Sequence, residues 1–200
     1  MFIKILILIL TIICCVYFYK KTYTFEYFTK LEAQTLLEKV TYLFQNKGIT
    51  TWLDCGTLLG AIRQNDFISK DTDVDIAAFE DDYAKSLEIV NDLNLLNEHN
   101  MICKRKKGKG VHEKIISLQI IGSNTYIDIY FWKWKPKLDK IEFKSKKYNA
   151  PYNSEMYLEY LYGPEWRIPC SDGCHANSYK HKEGIKNSTY FKQNKLISNF

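Results

Sequence analysis

The chain has 200 residues, 46% of them hydrophobic, and a formal net charge of +5 at pH 7. That length accommodates one folded domain with a single core and little more. Its lysines and arginines are dispersed apart from one short run, which excludes the broad basic surface of a bulk nucleic-acid binder, and no repeat or low-complexity linker divides it.

Residues 2–19 are almost unbroken Ile, Leu, Val and Phe. As a helix they extend ~27 Å, close to the ~30 Å of a bilayer core. Lys4 stands where its stem can snorkel, Tyr17, Phe18 and Tyr19 form an interfacial belt, and Lys20-Lys21 close the segment. Residues 1–21 are therefore predicted to be a single-pass transmembrane anchor. A cleaved signal peptide is the alternative, but Cys15-Val16-Tyr17 offers no small-residue cleavage site. Cys14 and Cys15 lie within the segment as apolar filler or palmitoylation sites.

Phe28, Leu31, Leu36, Val40, Leu43 and Phe44 then recur at helical spacing, with Gly48 as the stop. Residues 49–54 read as the first strand, delivering the chain into Gly56-Thr57-Leu58-Leu59-Gly60-Ala61-Ile62-Arg63. A glycine-rich turn opening a short helix presents backbone N–H groups to a phosphate. Arg63, further along that helix, either adds a charge-assisted contact or is an ordinary surface arginine.

Asp71-Thr72-Asp73-Val74-Asp75-Ile76 follows. In a strand Asp73 and Asp75 share one face while Val74 and Ile76 point to the core, and Asp71 belongs to the entering turn. Two close carboxylates repel unless a cation intervenes, and oxygen-only donors suit Mg²⁺ or Mn²⁺. A solvated acidic turn is the plain alternative.

Asp81 and Asp82 are predicted to cap a helix over 83–93. A hairpin comes next, 101–103 against 115–121, around a basic tip at 104–110 that either keeps the turn soluble or attracts an anion. His112 beside it could act as a base, but a lone histidine on a strand reads as structural. Gly122-Ser123-Asn124 turns the chain into the strand Thr125-Tyr126-Ile127-Asp128-Ile129-Tyr130-Phe131. An Asp amid such neighbours is not left unpaired. Asp128 either meets a lysine or arginine, or joins Asp73 and Asp75 from a neighbouring strand.

Trp132 and Trp134 share a face and either floor a pocket or fill the core. Asn153 or Ser154 caps a last helix over 155–162, ended by Gly163-Pro164. Cys170 and Cys174 are near enough in sequence to bridge in an oxidising lumen. Cys174-His175 lacks the further ligands that a zinc site needs. Residues 170–200 are polar and aperiodic and read as a tail.

Four segments carry a resemblance: the Gly56–Arg63 run, Asp71-Thr72-Asp73-Val74-Asp75-Ile76, Tyr126-Ile127-Asp128-Ile129-Tyr130, and Leu161-Tyr162-Gly163-Pro164-Glu165-Trp166-Arg167-Ile168-Pro169. In that order they resemble the LicD/fukutin family, over roughly residues 31–169. The resemblance implies an α/β, nucleotidyltransferase-like fold, a small mixed sheet flanked by helices. That domain would occupy 25–169, between the anchor at 1–21 and the tail at 170–200.

It further implies metal-dependent transfer of a phosphorylated alcohol, phosphocholine or a polyol phosphate such as ribitol phosphate. The donor would be a CDP-linked alcohol, the acceptor a hydroxyl on a glycan of a glycoprotein or glycolipid, and the product CMP. By that resemblance Asp73 and Asp75 hold Mg²⁺ or Mn²⁺. Asp128 shares the ion and orients or deprotonates the hydroxyl, while Gly56, Thr57, Gly60 and Arg63 face the donor.

The motifs alone leave open a nucleotidyl transferase of the same fold, or an inactive membrane-bound partner in glycan synthesis. Glycan acceptors, the sequon Asn187-Ser188-Thr189 and a short N-terminal tail favour a type II protein with its domain in the Golgi or ER lumen. Lys20 and Lys21 count the other way by the positive-inside rule.

Overall fold

The computed structural model describes residues 2–69, 71, 73–106 and 114–169, and within the first helix the side chains of 4–5, 8–19 and 30–46. Most of the basic tip with His112, the Cys170 and Cys174 pair, the sequon and the tail lie outside the described residues.

Helix α1 runs without a break from Phe2 to Asn46. No Gly or Pro interrupts this stretch, so the two helices foreseen separately are one element. Its second half buries Ala33, Leu36, Leu37, Val40, Leu43 and Phe44, the i, i+3, i+4 stripe of a core-facing helix, whereas Leu31 turns outward. Gly48 ends the helix at φ +68°. That turn lets the Ile49 N–H return to the Phe44 carbonyl at 2.9 Å.

The first half of α1 exposes Leu8, Ile9, Leu10, Ile12 and Ile13. Among the described residues no helix is long and apolar enough to cross a membrane. The transmembrane helix foreseen over 1–21 is not supported.

Five strands form one mixed sheet: β1 (Thr51–Leu53), β2 (Asp73–Phe79), β3 (Met101–Arg105), β4 (Ile115–Ile120) and β5 (Tyr126–Trp132), in the order β1-β2-β5-β4-β3. Only the β2–β5 pair is parallel. Val74, Ile76, Ala77, Ala78, Ile127 and Ile129 are fully buried, as central strands covered on both faces require. Helix α1 packs across β1, β2 and β5, and helix α2 (Cys55–Gln64) against β2. This is the small mixed sheet flanked by helices that the resemblance implied.

The helix foreseen over 83–93 is two helices, α3 (Tyr83–Asn91) and α4 (Leu93–Glu98). Asp92 starts the second by accepting the Leu95 N–H at 3.1 Å. Asp82 makes no side-chain cap. A 3₁₀ turn, Glu80–Asp82, leads into α3 instead, and Asp81 pairs with Lys135. A second sheet, the hairpin β6 (Leu138–Phe143) and β7 (Lys146–Pro151), packs beside β1. Helix α5 (Ser154–Tyr162) follows and ends at Gly163, φ +89°.

Candidate active site

The site begins with Asp54, where β1 gives way to α2. Its side chain is fully buried. It accepts three hydrogen bonds: from the Cys55 N–H at 2.9 Å, the Trp132 Nε1–H at 2.8 Å and the Tyr157 hydroxyl at 2.8 Å. One carboxylate thus ties the end of β1 to β5 and α5. The helix starts here and not at Leu58, so Gly56 and Thr57 lie in its first turn. Cys55 bends into it at φ +40°, a region that non-glycine residues seldom occupy. Burial, then the negative charges of Asp54 and Asp75, push the Cys55 thiol well above its ordinary range.

That first turn grips β2. The Gly56 N–H donates to Asp75 Oδ2 at 2.8 Å, and Thr57 Oγ1 accepts the Asp75 N–H at 2.8 Å. Both residues foreseen as facing a phosphate also position Asp75. Gly60 has a packing reason: a Cβ there would stand 2.4 Å from the Asp66 carbonyl oxygen, inside contact distance. Arg63 is half-buried, and its Nε has no hydrogen-bond partner among the described residues.

Asp75 is 7% exposed, and β2 and β5 run in a register that sets it directly opposite Asp128, with Asp73 opposite Tyr126. Burial, then Asp73 and Asp71, drive the Asp75 carboxyl well above the usual carboxylate range, against the lowering effect of the Gly56 N–H. The Cβ that Gly56 lacks would lie 3.0 Å from both Asp71 Oδ2 and Asp75 Oδ2. The bare glycine therefore borders a space with a carboxylate oxygen on two sides.

Asp128 has partners of its own. Its Oδ1 accepts the Ser117 hydroxyl, and its Oδ2 meets Arg105 Nη2 at 2.6 Å. Burial raises its carboxyl above the ordinary value although Ser117 and Arg105 lower it. The salt bridge that the sequence left open is present, and the cation comes from a residue assigned to the basic tip. Arg105 belongs to β3, and a bulge between Cys103 and Arg105 brings it opposite Ser117.

Among the described residues no group of three or more His, Cys, Asp and Glu side chains is placed to enclose a metal ion. The donor chemistry nevertheless fits a hard cation. Asp71, Asp73 and Asp75 are oxygen donors; Asp73 and Asp71 act against the ionised form of Asp75, and the Gly56 N–H at 2.8 Å favours it. Gly56→Ala is expected to cost about 1–3 kcal/mol by overpacking and to erase any Mg²⁺-dependent rise in unfolding temperature. A variant with the parent's stability and the parent's Mg²⁺ response would show that the space is not tight.

A family model described as LicD/FKTN/FKRP, nucleotidyltransferase domain, matches residues 48–169. The ribitol-5-phosphate transferase FKTN of Mus musculus is 28% identical over 161 residues, covering 68% of this chain and 33% of that protein. The protein of the same name from Homo sapiens is 26% identical over 161 residues with the same coverage, 68% and 33%. The chain spans about a third of the length of the curated relatives it matches. Among solved structures, the antibiotic-resistance factor ANT(2'')-Ia aligns with a TM-score of 0.43 and 14% identity over 73% of this chain and 80% of that one. The lincomycin-bound lincosamide adenylyltransferase LnuA aligns with a TM-score of 0.41 and 14% identity over 57% and 77%.

Proposed function

The chain belongs to the LicD/FKTN/FKRP family, and from that premise we propose that it transfers a phosphorylated alcohol from a CDP-linked donor to a glycan hydroxyl, releasing CMP. The relatives are named as ribitol-5-phosphate transferases, so ribitol phosphate is the first alcohol to test. The observation that carries the reading is the facing of Asp75 and Asp128 across two parallel strands, with Asp73 beside them on β2.

In this reading the acceptor oxygen attacks the β-phosphorus of the donor. A new O–P bond forms, the bond to the bridging oxygen breaks, and the electron pair leaves with CMP. A divalent cation held by Asp73 and Asp75 and shared by Asp128 would polarise the phosphoryl oxygen and neutralise the departing nucleotide. Gly56 and Thr57 hold Asp75 in place through the bonds described above. Asp128, steadied by Arg105 and Ser117, orients the acceptor hydroxyl or takes its proton. Arg63, whose Nε lacks a partner among the described residues, supplies a charge-assisted contact to the donor phosphates.

The deciding assay supplies CDP-ribitol, a glycan acceptor and Mg²⁺ to the full chain. Equal yields of CMP and ribitol-phosphate-modified glycan are expected. Attachment of the nucleotide to the acceptor would overturn the reading in favour of nucleotidyl transfer.

We also place the domain at a membrane, with its N-terminus cytosolic and the domain in the Golgi or ER lumen, a reading supported by the apolar side chains that α1 exposes. In sealed microsomes the domain should resist protease until detergent is added. Digestion without detergent would put it in the cytosol.

A further inference from the structure

The β6–β7 hairpin, the second half of α1 and the edge strand β1 surround a cavity of about 410 Å³, within the size range of small-molecule sites. None of Asp71, Asp73, Asp75 and Asp128 lines it. It is a separate space on the other side of β1.

Its walls are unbalanced toward donors. Lys140, Lys146 and Lys147 line it against one carboxylate, Glu38. Glu38 is already engaged by Lys146 at 2.8 Å. Burial pushes its carboxyl up, yet Lys146 and Gln34 outweigh that and hold it below the usual range. Lys140 and Lys147 make no ion pair among the described residues, and both are exposed. Glu142, opposite Lys147 in the hairpin, does not line the cavity. Two positive charges therefore remain without a partner at its wall.

Trp52 and Tyr148 belong to the same lining, are 1% and 8% exposed, and leave the indole N–H and the phenol O–H without hydrogen-bond partners. An orphaned buried donor costs about 1–3 kcal/mol. Burial, then Glu38, pushes the Tyr148 hydroxyl up to about 12, so it is a donor at neutral pH. Asn149 gives its side-chain N–H to the Thr51 carbonyl at 2.7 Å, which leaves its Oδ1 to accept from a hydroxyl.

A compact dianion on a hydroxylated body answers this set. Its charge suits the two lysines, and a hydroxyl the Asn149 oxygen. We propose that this cavity is a second binding site, distinct from the carboxylate cluster, for a small phosphomonoester with a hydroxylated body, a sugar phosphate being the simplest example.

The test is calorimetric titration of the full chain with glucose 6-phosphate, glucose and inorganic phosphate, without nucleotide or divalent cation. Glucose 6-phosphate is expected to bind saturably, inorganic phosphate at least ten-fold more weakly, and glucose alone not at all. Lys140→Ala combined with Lys147→Ala should weaken glucose 6-phosphate at least ten-fold. Asp75→Asn should leave this binding unchanged, which separates the proposal from the catalytic reading. Absence of saturable binding overturns it, as does binding indifferent to the double lysine variant. Inorganic phosphate binding as tightly as the sugar phosphate would reduce the site to an adventitious ion only and also overturn the proposal.

Discussion

Asp75→Asn is expected to abolish turnover while leaving the domain as stable as the parent or more so. The two effects have one cause. Burial, Asp73 and Asp71 raise the Asp75 carboxyl above its unfolded value. The stability this group contributes is therefore fully present below the unfolded pKa and is lost as pH rises through the raised folded value. Wherever the side chain is ionised, its charge works against the fold. Asparagine has nearly the same volume, is neutral, and keeps an oxygen for the Gly56 N–H, 2.8 Å away. It lacks the charge that would hold a cation. Turnover should fall by roughly 10²–10³-fold or more, the scale of losing one preorganised electrostatic partner. Thermal unfolding with and without Mg²⁺ should show an equal or higher midpoint and no ion-dependent shift. Turnover near the parent's, or a midpoint well below it, would sink the assignment.

Asp54→Ala should produce the opposite pattern, a large loss of stability from a residue without a chemical role. Removing the carboxylate orphans the Trp132 Nε1–H, the Tyr157 hydroxyl and the Cys55 N–H together, all in the interior. At about 1–3 kcal/mol for each of the buried donors left unmade, the total loss is about 3–9 kcal/mol. That is a large share of the ~5–15 kcal/mol that holds a domain together. Asp54→Asn keeps the volume and one acceptor oxygen, and it should lose much less. Urea unfolding followed by tryptophan fluorescence reads both variants. An alanine variant within 1 kcal/mol of the parent on the order-of-magnitude scale of single substitutions would mean that the three donors find other partners.

Much of this arrangement was legible in the residues, for identifiable reasons. Alternation in Asp73-Val74-Asp75-Ile76 and the turn at Gly122-Ser123 are local signals, and they identify β2 and the β4–β5 hairpin. The β6–β7 hairpin was not legible. Its turn is Lys144-Ser145, both at positive φ, 50° and 60°, and neither is the Gly or Asn that normally marks such a turn. Asp54 was read only as the last residue of a strand, because its three donors are local in one case and distant in two. Arg105 was hidden in a lysine-rich run. A charge run reads as a solvated tip, and only the bulge in β3 turns this member toward Asp128. At Gly56 and Thr57 the motif marked the turn, while their grip on β2 depends on a strand distant in sequence and had no local signal.

The single parallel pairing has a consequence for how the chain reaches this state. Asp75 and Asp128 become neighbours only after the whole stretch 76–127 has been made and has crossed over, because β2 and β5 are adjacent in the sheet but not in sequence. Such non-local contacts form slowly. During synthesis β2 can dock on β1 soon after it emerges, but its other edge, flanked by Val74, Ile76, Ala77 and Ala78, waits open for β5. That interval is when the nascent chain is most prone to pair with a wrong strand. A carboxylate every second residue at the start of β2 gives this open edge a charge that a foreign strand must bury, and the residues that form the site also protect the edge while it waits.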